Sequence, residues 1–152
     1  MKSLDPVDRR ILMSLQGDAT LSIAELAERV GLSQTPCWKR IKRLEAEGII
    51  TGRVALLDRA QLGLGTTVFV SVRTSQHDED WLVQFADAIR AIPEVTEFYR
   101  MSGDVDYLLK IVCRDIADYD RIYKSMIRAA RLSDVSSSFA MEQIKYTTEV
   151  PL

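Results

Sequence analysis

The segment from Ser33 to Gly48, SQTPCWKRIKRLEAEG, constrains the fold of this chain more than any other stretch. Read as an α-helix, it places Cys37, Ile41 and Leu44 on one stripe at spacings of four and three residues. Ser33 occupies the position of an N-cap, where its hydroxyl would accept a hydrogen bond from a free amide of the first turn. The segment therefore predicts a short helix with one buried face.

The other sides of this helix carry basic and polar side chains. A short helix of this composition suits the major groove of DNA, where base edges and phosphates are both within reach. The candidate DNA-contacting residues are Ser33, Gln34, Thr35, Pro36, Trp38, Lys39, Arg40, Lys42 and Arg43. Two plainer interpretations stay open: the four cations form only a solvated face, and Trp38 covers a gap between helices.

Two further helices are predicted before this segment. Asp5 and Pro6 are typical of an N-cap followed by a first helical position. Ser22 and Glu25 form a capping-box pattern, and Gly31 fits a left-handed helix end. The three helices together predict a helix-turn-helix whose core is closed by the first helix. Residues 49–57 then predict either a small wing or a linker strand.

The second half of the chain has a different pattern of predicted secondary structure. It alternates strand and helix patterns twice, which is typical of a ferredoxin-like βαββαβ domain. The strands are expected at 66–74, 95–101, 106–113 and 135–147, and the helices at 80–92 and 116–126. The opposite face of such a sheet needs a cover, and a second copy of the chain is the simplest one, so we expect a homodimer.

The predicted fold class is therefore α+β. It combines an N-terminal (winged) helix-turn-helix domain with a C-terminal ferredoxin-like βαββαβ domain through which the chain would dimerise. The expected boundaries are 1–50 for the DNA-binding helix-turn-helix, 51–65 for a linker strand or hinge, and 66–152 for the ferredoxin-like domain.

Charge and cysteine content narrow the function classes. The formal net charge is −2, but residues 1–59 hold ten Lys/Arg and eight Asp/Glu, so the basic excess lies in the half with the predicted helix-turn-helix. Two distant cysteines make no disulfide framework, and no apolar run approaches membrane length. We expect a cytoplasmic, nucleoid-associated protein without a membrane partner.

Four motifs resemble the Lrp/AsnC family, the feast/famine regulators of bacteria and archaea. Three are in the first half: LDxxDxxIL at 4–12, LAxxVGLS at 26–33 and RIxxLExxGII at 40–50. The fourth is GDxDYLL at 103–109, which matches the signature turn of the family's amino-acid-sensing domain. TPCWKR at 35–40 and SSFAME at 137–142 further resemble a subgroup tied to cysteine and sulfur metabolism.

The resemblance implies a sequence-specific transcriptional regulator that binds double-stranded DNA. It implies a dimer built through the C-terminal sheets, often assembled into an octamer, and a small amino-acid effector bound between dimers. Cysteine or another sulfur-containing or apolar amino acid is the expected effector, with no cofactor and no metal. The candidate effector-binding residues are Met101, Gly103, Asp104, Asp106, Ser136, Ser138 and Ala140.

Plainer roles and other functions remain open. Asp104 and Asp106 are also typical turn residues that cap their own backbone. An enzyme is not expected, because the sequence has no phosphate-binding glycine loop, zinc spacing or nucleophile motif. The alternatives are a low-specificity DNA-packaging protein without an essential effector, and a redox or metal sensor that uses Cys37, Cys113 and His77.

Overall fold

The computed structural model describes residues 4–75, 79–129 and 134–152. The chain divides into two compact units. One unit comprises Met1–Leu56 together with Lys145–Leu152, and the other comprises Leu57–Ile144. The last eight residues thus belong with the N-terminal unit, whereas the sequence analysis groups them with the C-terminal domain. Within the described residues, no helix combines the length and apolar character needed to cross a bilayer.

Three helices form the N-terminal unit: α1 (Pro6–Gly17), α2 (Ile23–Val30) and α3 (Gln34–Ala46). Their shared core consists of Ile11, Leu12, Leu26, Ala27, Val30, Cys37, Ile41 and Leu44. This confirms the predicted stripe of α3, since its three members are all at most 2% exposed. Burial of such side chains stabilises a fold by about 1.5–3 kcal/mol each, so the seam fixes α3 against α1 and α2.

The local signals that begin and end α1 and α2 act as the sequence predicts. The Asp5 side chain accepts a hydrogen bond from the amide of Asp8, and Ser22 and Glu25 form a complete capping box. Gly31 ends α2 with φ = 71°, a left-handed conformation that costs glycine little. The chain therefore turns from α2 into α3 within the three residues 31–33.

The predicted side-chain cap at Ser33 is wrong. Ser33 has the extended backbone of an N-cap, but its hydroxyl accepts no capping hydrogen bond. The reason is Pro36, which occupies the third helical position and has no N–H to donate.

The C-terminal unit is a four-stranded antiparallel sheet with two helices. Its elements are β1 (Thr66–Arg73), α4 (Glu79–Arg90), β2 (Val95–Arg100), β3 (Tyr107–Cys113), α5 (Ile116–Ala129) and β4 (Asp134–Phe139). The strand order is β2-β3-β1-β4, which confirms the ferredoxin-like βαββαβ prediction. Side chains of both helices share one core with the inward-facing residues of β1 and β3.

Two predicted strands differ from the structure. The closing strand predicted over 135–147 ends at Phe139. After the bond from Ala140 N–H to the carbonyl of Thr67, β1 offers at most one more residue, Thr66, where it begins, so a strand to residue 147 has no partner there. Residues 51–57 belong to no strand, although Ile49 and Ile50 before them pack on the N-terminal core. The described segment after α3 therefore shows neither a paired wing nor a linker strand.

Candidate nucleic-acid interface and ligand turn

The outer face of α3 carries the predicted DNA-contacting residues. Ser33, Gln34, Thr35, Pro36, Trp38, Lys39, Lys42 and Arg43 are all exposed, and Arg40 is half-buried. Trp38 is 48% exposed, so the helix presents a large aromatic ring as well as cations. This face offers stacking, hydrogen-bonding and charged groups together, a combination suited to a nucleic-acid groove.

Two of the four cations are held by carboxylates of α1 and its N-cap. Nη1 of Arg40 lies 2.5 Å from Oδ2 of Asp5 and 2.8 Å from Oδ1 of Asp8. Nη2 of Arg43 lies 2.5 Å from Oδ2 of Asp8, whose side chain is only 1% exposed. These hydrogen bonds raise the pKa of Arg40, through Asp5 first and Asp8 second. Sequence reasoning missed this acidic cluster because its members lie more than 30 positions away.

The other two cations of α3 have different surroundings. Nζ of Lys42 lies 2.7 Å from Glu45, which also pairs with Arg53 at 3.3 Å. The hydrogen bond from Lys42 lowers the pKa of Glu45. Lys39 makes no hydrogen bond or ion pair with any residue in the described part of the chain. The four cations are therefore not equivalent.

The turn between β2 and β3 carries the predicted effector-binding residues of the second unit. Met101, Gly103 and Asp104 are exposed, and Gly103 has φ = 128°, which other residues rarely adopt. The Asp104 carbonyl accepts a hydrogen bond from Nε of Arg73 at 2.6 Å. Arg73 is thus a cation beside the turn that the sequence analysis did not identify, since only strand pairing brings it there.

Asp106 has a structural position within the same turn. Its Oδ2 accepts a hydrogen bond from the amide of Thr74 at 2.8 Å, while its own amide donates to the carbonyl of Val72. Its carbonyl accepts from the amide of Met101 at 2.8 Å. These contacts favour the turn-capping interpretation for Asp106 and leave Asp104 as the carboxylate that faces solvent.

The candidates Ser136 and Ser138 in β4, and Ala140 just after it, do not converge on this turn within one chain. Ser136 pairs with Ser71 near the end of β1 that carries Arg73, whereas Ala140 bonds to Thr67 at the opposite end. At about 3.4 Å per residue, four residues along a strand span about 14 Å. Ser138 lies between them, opposite Phe69.

The two cysteines of the alternative redox or metal sensor lie in different cores. Cys37 is buried in the N-terminal core and Cys113 in the C-terminal core, and burial raises the pKa of each thiol. A raised thiol pKa lowers the reactive thiolate fraction. His77 lies outside the described residues. In the part of the chain that the structure describes, no group of three or more His, Cys, Asp or Glu side chains is placed to hold a metal ion.

Comparisons with known protein families match both halves of the chain. Residues 4–51 match the family described as winged helix-turn-helix DNA-binding. Residues 67–150 match the family described as the Lrp/AsnC ligand binding domain.

Individual relatives match along almost the full length. The DNA-binding transcriptional activator DecR of Escherichia coli is 51% identical over 150 residues, covering 98% of this chain and 99% of the relative. A crystal structure of an AsnC family transcriptional regulator from Agrobacterium tumefaciens has a TM-score of 0.95 at 57% identity, covering 97% of both chains. A transcriptional regulator from Neisseria meningitidis, solved as a complex with L-Met, has a TM-score of 0.92 at 35% identity, covering 98% of this chain and 97% of that one.

Proposed function

The chain belongs to the Lrp/AsnC family of DNA-binding transcriptional regulators, and we propose that it controls transcription in response to a sulfur-containing or apolar amino acid. Its relatives are transcriptional regulators, and the chain is a regulator rather than an enzyme.

DNA binding is assigned to the outer face of α3. The observation that carries this assignment is the set of exposed residues at the N-terminal end of a helix whose other face is fully buried: Ser33, Gln34, Thr35, Pro36 and Trp38. Residues near the N-terminus of a recognition helix contact base edges, while exposed cations such as Lys39 contact phosphates. Cys37 belongs to the buried seam, so its role here is packing.

Effector binding is assigned to the turn from Met101 to Asp106. Gly103 allows backbone amides to approach an effector carboxylate without a side chain in the way, and the solvent-facing carboxylate of Asp104 suits an α-ammonium group. The related Neisseria regulator was solved with L-Met, which supports a sulfur-containing or apolar side chain. Since Ser136 and Ser138 are spread along β4 and Ala140 follows its end, their participation requires a site completed by a neighbouring chain.

Assembly is assigned first to the sheet face opposite the helices, here called the open face (Phe69, Ser71, Tyr99, Lys110 and Ser138). Strand register places these residues on one side, and Phe69 and Tyr99 are 39% and 50% exposed. Glu97 accepts hydrogen bonds from Lys110 at 2.6 Å and from Tyr99 at 2.8 Å. Because these polar groups are already hydrogen-bonded to one another, burying them in an interface costs less free energy. We propose a homodimer through this face that assembles further to an octamer in the cytoplasm, in association with the nucleoid.

The decisive experiment is a fluorescence-anisotropy titration at near-physiological salt. Full-length protein is titrated onto DNA from upstream of its own gene and onto a scrambled duplex, with and without cysteine, methionine or leucine. We expect selective binding to the upstream DNA and a shift in affinity or stoichiometry with one L-amino acid but not its D-enantiomer. Selective binding that no amino acid alters would remove the effector assignment, and equal binding to both duplexes would favour DNA packaging.

The assembly proposal has a separate test. Light scattering coupled to size-exclusion chromatography should give a dimer or an octamer for the unmodified chain. A charged substitution on the open face, Phe69→Glu, should lower the molar mass, whereas Val83→Glu on an exposed part of α4 should not. A monomeric unmodified chain would overturn the proposal.

A further inference from the structure

The charge available for DNA on α3 is smaller than its sequence indicates. Arg40 and Arg43 share the buried carboxylate of Asp8, and Arg40 also contacts Asp5. These four residues carry two positive and two negative charges, so the cluster is neutral as a whole. Here it is called the Asp8 cluster (Asp5, Asp8, Arg40 and Arg43).

The carboxylates of the Asp8 cluster are fixed by α1 and not only by the arginines. The Asp8 amide donates to Oδ1 of Asp5 at 2.8 Å, and the Asp5 amide donates to Oδ2 of Asp8 at 3.3 Å. This reciprocal box ties both side chains to the first turn of α1. The start of α1 therefore holds both carboxylates in place, and the arginine side chains of α3 extend to reach them.

Because Asp8 is buried, breaking its ion pairs with the arginines would cost free energy. A carboxylate that is 1% exposed has lost nearly all its water, and an unpaired buried charge is strongly destabilising. If both arginines turned outward to DNA phosphates, Asp8 would lose both of its side-chain cation partners. Lys39 faces no such cost, because it is exposed and has no partner among the described residues.

We propose that Asp5 and Asp8 are positioning residues that hold Arg40 and Arg43 away from DNA phosphates and so limit sequence-independent binding. Phosphate contact by α3 then comes chiefly from Lys39, and discrimination comes from the polar residues at the start of the helix. The inference rests on the proposed role of α3 as the DNA-binding helix.

Salt dependence distinguishes paired cations from free ones. Each cation that releases a counterion from duplex DNA contributes about 0.9 to the slope of log affinity against log salt concentration. A cation already neutralised by a carboxylate releases little, so its removal should leave the slope unchanged. The experiment measures this slope by anisotropy on a scrambled duplex, with full-length Lys39→Ala, Arg43→Ala, Asp8→Asn and Asp5→Asn proteins.

We expect Lys39→Ala to reduce the slope by about 0.9 for each α3 bound, and Arg43→Ala to leave it unchanged. Asp8→Asn and Asp5→Asn should do the opposite of Lys39→Ala: they should steepen the slope, tighten binding to the scrambled duplex and reduce the preference for the upstream DNA. Circular dichroism checks that each protein is folded. If Asp8→Asn does not fold, the more exposed Asp5 provides the second variant, since Arg40 is its one ion-pair partner among the described residues.

Equal slope reductions for Arg43→Ala and Lys39→Ala would overturn the inference, because Arg43 would then contact phosphate. An unchanged or shallower slope for folded Asp5→Asn and Asp8→Asn proteins would also overturn it. Failure of the proposed function gives a different pattern: Lys39→Ala, Trp38→Ala and Arg43→Ala would all leave DNA affinity unchanged while the protein still binds.

Discussion

The carboxylate of Asp106 accepts a hydrogen bond from the backbone amide of Thr74 at 2.8 Å. It therefore joins the turn after β2 to the end of β1, where Arg73 contacts the carbonyl of Asp104. The two aspartates of the GDxD motif thus have different positions, one half-buried within the fold and one facing solvent.

The first prediction assigns different roles to Asp104 and Asp106. Asp106→Ala should lower the free energy of unfolding by about 1–3 kcal/mol, because it removes the carboxylate that accepts a hydrogen bond from the Thr74 amide. Asp104→Ala should leave stability nearly unchanged and weaken the response to the effector. Urea denaturation and the anisotropy titration measure the two effects. A stable Asp106→Ala protein, or an unstable Asp104→Ala protein, would contradict this division.

The second prediction concerns the backbone of Gly103. Gly103→Val should abolish the effector response and leave basal DNA binding intact, because a β-branched residue does not readily adopt φ = 128°. The strain would lie in the backbone and not in a side-chain clash, since no atom of the described residues lies within 4 Å of an added Cβ. The control is Gly65→Val, which also faces open space but needs no positive φ. Titration of both variants with the responsive amino acid is the measurement, and a normal response from Gly103→Val would place the effector site elsewhere.

The third prediction compares two serines at helix starts. Ser22→Ala should cost about 1 kcal/mol of stability, because the Ser22 hydroxyl accepts a hydrogen bond from the Glu25 amide at 3.2 Å. Ser33→Ala should cost much less, since Pro36 removes the usual donor and Ser33 makes no side-chain cap. Thermal unfolding of both variants provides the comparison. Equal losses would mean that Ser33 caps α3 after all.

The fourth prediction concerns acid stability through Asp118. Hydrogen bonds from the side chain and amide of Arg114, and from Arg121, hold the pKa of this carboxyl far below its usual value. A carboxyl with a lowered folded pKa contributes stability at pH values above its unfolded pKa of about 4, and this contribution is lost as the pH falls through the folded value.

The test is denaturant unfolding at neutral pH and at several pH values below 4. Asp118→Asn should be less stable than the unmodified chain at neutral pH, and its stability should fall less steeply on acidification. Parallel pH profiles for the two proteins would show that Asp118 contributes nothing to acid sensitivity.

Features set by neighbouring residues could be predicted from the sequence, and features set by distant ones could not. The capping box at Ser22 and the turn at Gly31 depend on residues within one or two helical turns, and both predictions are confirmed. Even the missing cap at Ser33 has a local cause in Pro36. The pairing of Arg40 with Asp8 spans 32 positions, so only the packing of α1 against α3 reveals it.

The candidate ligand turn shows the same division. Its glycine and aspartates stand out in the sequence, and the structure places them in one turn with Gly103 at positive φ. Arg73 lies about 30 positions earlier and reaches the turn only because β1 pairs with β3. The predicted extension of β4 to residue 147 is wrong for a related reason, since a strand's length depends on where its partner begins.

The return of Lys145–Leu152 to the N-terminal unit has a consequence for the order of folding. Val150 exchanges two hydrogen bonds with the side chain of Gln16 in α1, at 2.7 and 3.2 Å. A ribosome makes α1, α2 and α3 before it makes residues 145–152, and domains begin to fold as they emerge. The helices therefore gain the contact of Gln16 with Val150 only after residue 150 has left the ribosome, so a chain that ends before this residue would carry its three helices without that contact.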